Sequence, residues 1–474
     1  MIMLKNSKER ENLHIFLSFG NLIISTAVII ISTFFPSQEI FFNIFFSPSQ
    51  YFLMGIIFLF QVIFSVFIKY TSKNYPNAYL FDIFSLLIFL SLVGMISSIN
   101  FLTLASFFIL IIILTGMIFY FGEFKKEFRL LKTYFTACII SIISLISAIL
   151  IFYFNTGTIL IYNMDAFQLS EIPCIILSIL LILGLGIPCG LFPFYVFHLK
   201  KYFQEADYVH VILLMAFNLI STLTIMQLLG SFISLTSVNI FIILIISGLG
   251  VVIAIYYIIL EIFTSHDGFT YSIKKIIGYS IICDSNLILL LFANFYLFPE
   301  PFRRNLLNLL IFLFISLTLM KLILSYSFLI TANKSNEDNF RLLGNFWKNN
   351  KMFGLLLFLS GLILIFPVIF IFIYSFLANL EFMFPMLNSL VSLISIIALS
   401  LLIISILIIL LFTSHFFVQV YISKNTSYLE RVSTYKINKK MSYLIGILLI
   451  TLLIGQAIIY IYSSSWYFEL ISGF

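Results

Sequence analysis

Stretches of about 18 or more apolar residues, each long enough to cross a ~30 Å hydrocarbon core, recur from one end of this chain to the other. In lipid every backbone N–H and C=O must be paired inside the protein. A chain built from such runs is therefore restricted to bundled helices. Composition points the same way: 62% of residues are hydrophobic, 9% are charged, and mean hydropathy is +1.17. The expected class is an all-α polytopic membrane protein. The opening segment, MIMLKNSKERENLHIF, starts basic like a signal peptide. It has no small-residue cleavage site and more spans follow, so 13–35 is expected to be a retained helix.

About thirteen helices are expected, at 14–35, 51–68, 78–97, 101–121, 134–154, 172–199, 209–229, 238–263, 276–298, 305–332, 353–379, 386–413 and 443–462. With the N-terminus inside and the C-terminus outside, the internal segments hold 22 of the 25 lysines and arginines. Arg303 and Arg304 lie in an external loop and Lys321 lies within a helix. This ordering of positive charge fits the inside-positive rule and explains the net charge of +6 without nucleic acid.

The four cysteines, Cys138, Cys174, Cys189 and Cys283, stand singly within helices, with no CxxC pair for an iron–sulfur cluster and no zinc spacing. They read as small apolar core residues. Neither a GxGxxG nor a phosphate-binding loop occurs, so no cofactor and no redox centre are expected in this chain. The longest internal segments, 333–352 and 414–442, are too short for a soluble catalytic domain, and 1–474 reads as a single membrane domain.

Two spans carry helix-breaking residues. One reads LGLGIPCGLFPFYVFHLKK, with Gly184, Gly186, Pro188, Gly190 and Pro193. The other reads FGLLLFLSGLILIFPVIFIFIYSF, with Gly354, Gly361 and Pro367. Proline removes a backbone donor and clashes with the preceding turn, so helix breaks are expected at Pro188, Pro193 and Pro367. A plain kink at Pro367 is the competing reading. Breaks five helices apart are the pattern of an inverted-repeat transporter.

At these residues the chain resembles the antiporter-like membrane subunits shared by respiratory complex I, multisubunit cation/proton antiporters and energy-converting hydrogenases. Pro193, Phe194, Tyr195, Val196 and Phe197 stand where that family has Pro-Phe-His-x-Trp. Ile273, Lys274, Lys275, Ile276, Ile277, Gly278, Tyr279 and Ser280 resemble its Ile-Lys-Lys/Arg segment ending in Ala-Tyr-Ser-Ser. Lys321, then Leu343 and Gly344, then the break at 361–367, follow in the family's order, and an upstream LLKTYFTACIISIISLISAILIFYFNTGTILIY is similar to its Lys-Tyr-Phe helix. The resemblance covers about residues 100 to 413. It implies two five-helix inverted repeats, 78–229 and 238–413, and an extra C-terminal helix at 443–462.

The departures from that family are specific. Helix 101–121 has no ionisable acid or base where the family places a glutamate, and Pro188 stands in place of its partner lysine. Asn218 occupies the place of a lysine or histidine, and Tyr374 that of a charged residue. The first half-channel has lost the groups that would carry a proton.

Charge remains elsewhere. Asp284 lies about eight residues, or ~12 Å, into its helix, and Lys321 eleven residues, or ~16 Å, from the inner end of an oppositely directed one. Each alone would cost roughly 2.5–3.5 kcal/mol at a helix centre, so they are expected to meet and neutralise each other. Either Lys321 is a buried base that exchanges its proton with Asp284 as relay, or the two form a fixed pair that locks helix register. Snorkelling is excluded for Lys321 by its depth. Lesser candidates are Asp82, Glu261 beside Lys274 and Lys275, and His198 and His210 at a solvated rim, while Asn218 and Tyr374 are candidates for holding water.

The resulting expectation is an antiporter-like subunit of a redox-driven, ion-translocating complex, of energy-converting hydrogenase or NADH dehydrogenase type, in an energy-transducing membrane. Its pathway residues would be Lys321, Asp284, Lys275, Glu261, Asn218 and Tyr374. Its partners would be other membrane subunits, hydrophilic redox subunits and the lipid bilayer, with no nucleic acid. Two rivals stand beside it: a proton-silent spacer subunit of the same complex, and a flippase for lipid-linked saccharides.

Overall fold

The computed structural model describes residues 78–121, 128–161, 169–188, 190–191, 208–231, 237–263 and 273–296. It also describes 39–40, 44–45, 57, 60–61 and single positions within 307–322 and 400–404. The expected spans at 14–35, 353–379 and 443–462, the breaks at Pro193 and Pro367, and Tyr374, Cys189 and His198 lie outside the described residues. So do most of the spans at 51–68, 305–332 and 386–413.

What is described is helical, apart from a two-residue antiparallel pairing of Glu39–Ile40 with Ile44–Phe45. Seven helices follow in order: α1 Ala78–Ile96, α2 Phe101–Phe121, α3 Phe128–Thr156, α4 Glu171–Gly186, α5 Tyr208–Ser231, α6 Ser237–Phe263 and α7 Ile273–Phe295. Five of these, α2, α3, α5, α6 and α7, are long and apolar enough to cross a membrane. The chain divides into two compact units, Met1–Asn239 and Ile240–Phe474.

In the first unit α1 packs along α2, and α3 along α4. The α1–α2 turn is held at its helix start by Asn100, whose side-chain oxygen accepts from the Thr103 N–H at 2.7 Å. This satisfies one of the orphan donors at the start of α2. The strand-like segment after α3 pairs with the same turn, through Phe101 N–H to Ile159 O (3.0 Å) and Ile161 N–H to Ile99 O (2.7 Å). Gly157 sits at φ 72° just past the end of α3, the left-handed position that glycine occupies without steric cost.

Helix α3 shows both solvents of the protein. Ile139, Ile143, Ile146 and Leu150 are exposed along one stripe, while Cys138, Ser141, Leu145 and Phe152 are buried on the other. An outward apolar stripe costs nothing against lipid, so the pattern is that of a bundle's outer helix. By contrast, 89% of the apolar window of α5 is buried, and 94% of that of α7. Buried all round, these two are the interior helices of their respective units. In the first unit α5 meets α1, α4 and, through Phe217 against Phe108 with ring centroids 5.7 Å apart, α2.

Candidate functional site: a buried lysine–aspartate pair

The interior helix α7 carries most of its polarity along one stretch. Ser280 and Asp284 stand at helical spacing (i, i+4) with Ser285 beside them, and Asp284 is only 4% exposed. Lys321, in a later helical segment of the same unit, is 6% exposed. Its ammonium forms a direct ion pair with the Asp284 carboxylate and donates a hydrogen bond to the backbone carbonyl of Ser280 at 2.8 Å. Ser280 lies one turn before Asp284, so carboxylate and carbonyl present themselves to the ammonium from one edge of α7.

Charges without partners in so apolar an interior would each cost several kcal/mol. Here the ammonium is met by a full negative charge and by a backbone dipole, and the site as a whole is neutral. Around it the helix is sealed. Ser280 donates its own hydroxyl to Ile277 O (2.7 Å), Ser285 to Ile281 O (2.8 Å), and Thr318 to Phe314 O (2.7 Å). Toward the start of α7, Tyr279 stacks on Tyr257 of α6, with centroids 5.3 Å apart and planes 18° from parallel. Asn286 packs against Gly250 of α6, where an added Cβ would overlap its amide.

The other sequence candidates fall elsewhere. Lys275 lies in the first turn of α7, nine positions before Asp284, or ~13 Å along the axis. Glu261 lies in the last turn of α6, Asp82 in α1 and His210 in the first turn of α5. Asn218 is buried at 1% exposure in α5 of the first unit. Pro188 occupies the turn that follows α4, beside Gly190 at φ 78°. The structure brings Asp284 and Lys321 together.

Two contacts, one at the pair and one in the first unit, were not foreseen from sequence. The Ser280 carbonyl is a backbone atom that any residue supplies, so no sequence signal marks it. Ser141 has a signal that went unread. Proline at 188 has no N–H, which leaves the carbonyl four residues earlier, at Gly184, without its helical donor. The Ser141 hydroxyl of α3 donates to that carbonyl. Gly184 permits the approach, because a Cβ there would press on the Leu145 backbone at 3.0 Å.

No family model matches the chain, and no curated protein matches it. Solved structures do. A chain of the membrane-bound sulfane sulfur reductase, an archaeal respiratory membrane complex, superposes with a TM-score of 0.72 at 15% identity, over 95% of this chain and 72% of that one. A chain of the Mrp complex from Dietzia sp. DQ12-45-1b gives 0.69 at 12%, over 88% and 77%. A chain of respiratory complex I from Thermus thermophilus, with bound aureothin, gives 0.64 at 10%, over 95% and 93%. At such identities the likeness is one of fold.

Proposed function

On a fold shared with chains of two respiratory complexes and an Mrp complex, we propose that this chain is an antiporter-like integral membrane subunit of a redox-driven, ion-translocating assembly. Its partners are further membrane subunits and hydrophilic redox subunits, of hydrogenase or NADH dehydrogenase type. Its N-terminus lies inside and its C-terminus outside. It is read as two five-helix inverted repeats, 78–229 and 238–413; the division into compact units at Asn239 supports that reading.

Within the assembly the Lys321–Asp284 pair moves or gates protons. The observation that carries this is the direct contact of the two side chains in an almost fully buried site. At rest the pair is an ammonium and a carboxylate. A proton reaching Asp284 neutralises the carboxylate and leaves the Lys321 ammonium without its counter-charge in a medium of low dielectric. Release of one lysine proton relieves that cost, and return of the carboxyl proton to the amine restores the starting pair. One proton enters and one leaves per cycle. A change of charge in neighbouring redox subunits biases which step is favoured. Lys275, Glu261 and Tyr374 belong to the approaches in this reading, and Asn218 to a hydrated region of the first repeat.

A spacer role is the second reading, and one observation favours it. Among the described side chains of the first unit, no carboxylate, ammonium, guanidinium or imidazole is buried. Replacing Lys321 by Met together with Asp284 by Asn in the assembled complex, reconstituted in vesicles, separates the two. A carrier loses ion transport while the complex stays intact, whereas a spacer transports unchanged.

A further inference from the structure

Five buried hydroxyls of the described helices share one habit. Thr224, Ser178, Ser247, Ser285 and Thr318 each donate to the carbonyl three or four residues earlier on their own helix, at 2.6–2.8 Å for the closest acceptor. This is the ordinary way for a hydroxyl to be satisfied where no water is at hand. Two adjacent residues of α5 break the habit. Ser221 and Thr222 are both 0% exposed, and among the described residues neither hydroxyl has a hydrogen-bond partner. Both had the option: the carbonyls of Phe217 and Asn218 lie one turn behind them.

Helical spacing puts Asn218, Ser221 and Thr222 on one face, at i, i+3 and i+4. The face lies in the middle of an apolar span, Leu213–Gly230, in an interior helix. Asn218 adds an amide, with both donor and acceptor atoms, to two hydroxyls that can each donate and accept. All three groups are neutral. A metal ion at such a face would bring an uncompensated charge, since no buried carboxylate stands among the described residues of this unit. A ligand that both donates and accepts, and carries no charge, matches the set.

We infer that Asn218, Ser221 and Thr222 form an internal water-binding site at the centre of the first unit. Water there completes the two hydroxyls and gives the unit a hydrated but uncharged interior, able to pass a hydrogen bond along yet unable to store a proton. The inference deepens the assignment of Asn218 to a hydrated region of the first repeat, and does not rest on the role proposed for Lys321 and Asp284, which lie in the other unit.

Two measurements on the intact complex test it. High-resolution density of the wild type should show a peak within hydrogen-bond distance of both hydroxyl oxygens, ~2.7–2.8 Å. The peak should be lost in the double variant Ser221→Ala, Thr222→Val. Synchrotron radiolysis, which generates hydroxyl radicals from bound water, gives a second readout through Met215 and Met226. Both are buried on α5, about one turn either side of the site. Their oxidation should fall several-fold in the double variant and stay unchanged in a Thr224→Val control. Apolar atoms packed onto the two hydroxyls with no peak, or methionine oxidation equal in both proteins, would overturn the inference. A peak with shorter contacts that appears only in sodium buffer would overturn it in favour of a cation.

Discussion

The hydroxyl of Ser141 donates to the carbonyl of Gly184, across the contact between α3 and α4. That carbonyl is the one Pro188 cannot serve, so a side chain from a neighbouring helix repairs a defect that proline makes in the backbone. In lipid a free carbonyl is costly, which makes the repair a structural requirement rather than an ornament.

Ser141→Ala should therefore lower the stability of the membrane domain by about 1–3 kcal/mol, the range for leaving a buried acceptor unsatisfied. In a Pro188→Ala background the N–H at 188 returns, and the same substitution should cost clearly less. Thermal unfolding of the purified complex across the four proteins measures this coupling; additive effects would show that the hydroxyl does not serve the carbonyl.

A comparable test exists in the second unit. Gly250→Ala places a methyl group into the Asn286 side chain and should destabilise by about 1–3 kcal/mol, the usual cost of overpacking. Asn286→Ala in the same protein should recover much of that loss. Recovery is read from the amount of folded protein extracted from membranes and its melting temperature.

At the turn between α1 and α2, Asn100→Ala removes the acceptor for Thr103 N–H and should cost about 1 kcal/mol. The effect should be confined to stability, with assembly and transport unchanged, because the turn lies outside the buried pair.

These contacts show what the sequence could and could not reveal. The expected span at 134–154 is part of a longer helix, Phe128–Thr156. The expected 276–298 appears as Ile273–Phe295, taking Lys274 and Lys275 into its first turn. Hydropathy marks where the solvent changes, while a helix continues for as long as its backbone bonds continue, so polar turns such as FRLLK extend past the apolar run. The expected span at 172–199 is described as a helix only over Glu171–Gly186, followed by the turn at Pro188.

The meeting of Asp284 and Lys321 was legible because the cost of a lone charge in lipid is large and only an opposite charge at matching depth offsets it. Ser280 was not, since its contribution is a carbonyl. Ser221 and Thr222 were not either, because spacing says which face a hydroxyl occupies but not whether it bonds back to its own helix.

Charge deletion distinguishes a pair from two independent residues. Asp284→Asn or Lys321→Met alone leaves a buried charge without its partner and should destabilise by about 3–5 kcal/mol. The double variant removes both charges and should regain most of that stability. Melting temperatures of the three variants measure the coupling, and equal losses in single and double variants would dissolve the pair as an energetic unit.

The decisive measurement is proton translocation by the intact complex carrying Asp284→Asn together with Lys321→Met, reconstituted in vesicles and driven by its own redox reaction. This protein should assemble normally, because its buried site is neutral as before. If the pair carries or gates protons, translocation per electron falls while assembly holds. Translocation at the wild-type ratio would contradict that role and leave the chain a spacer.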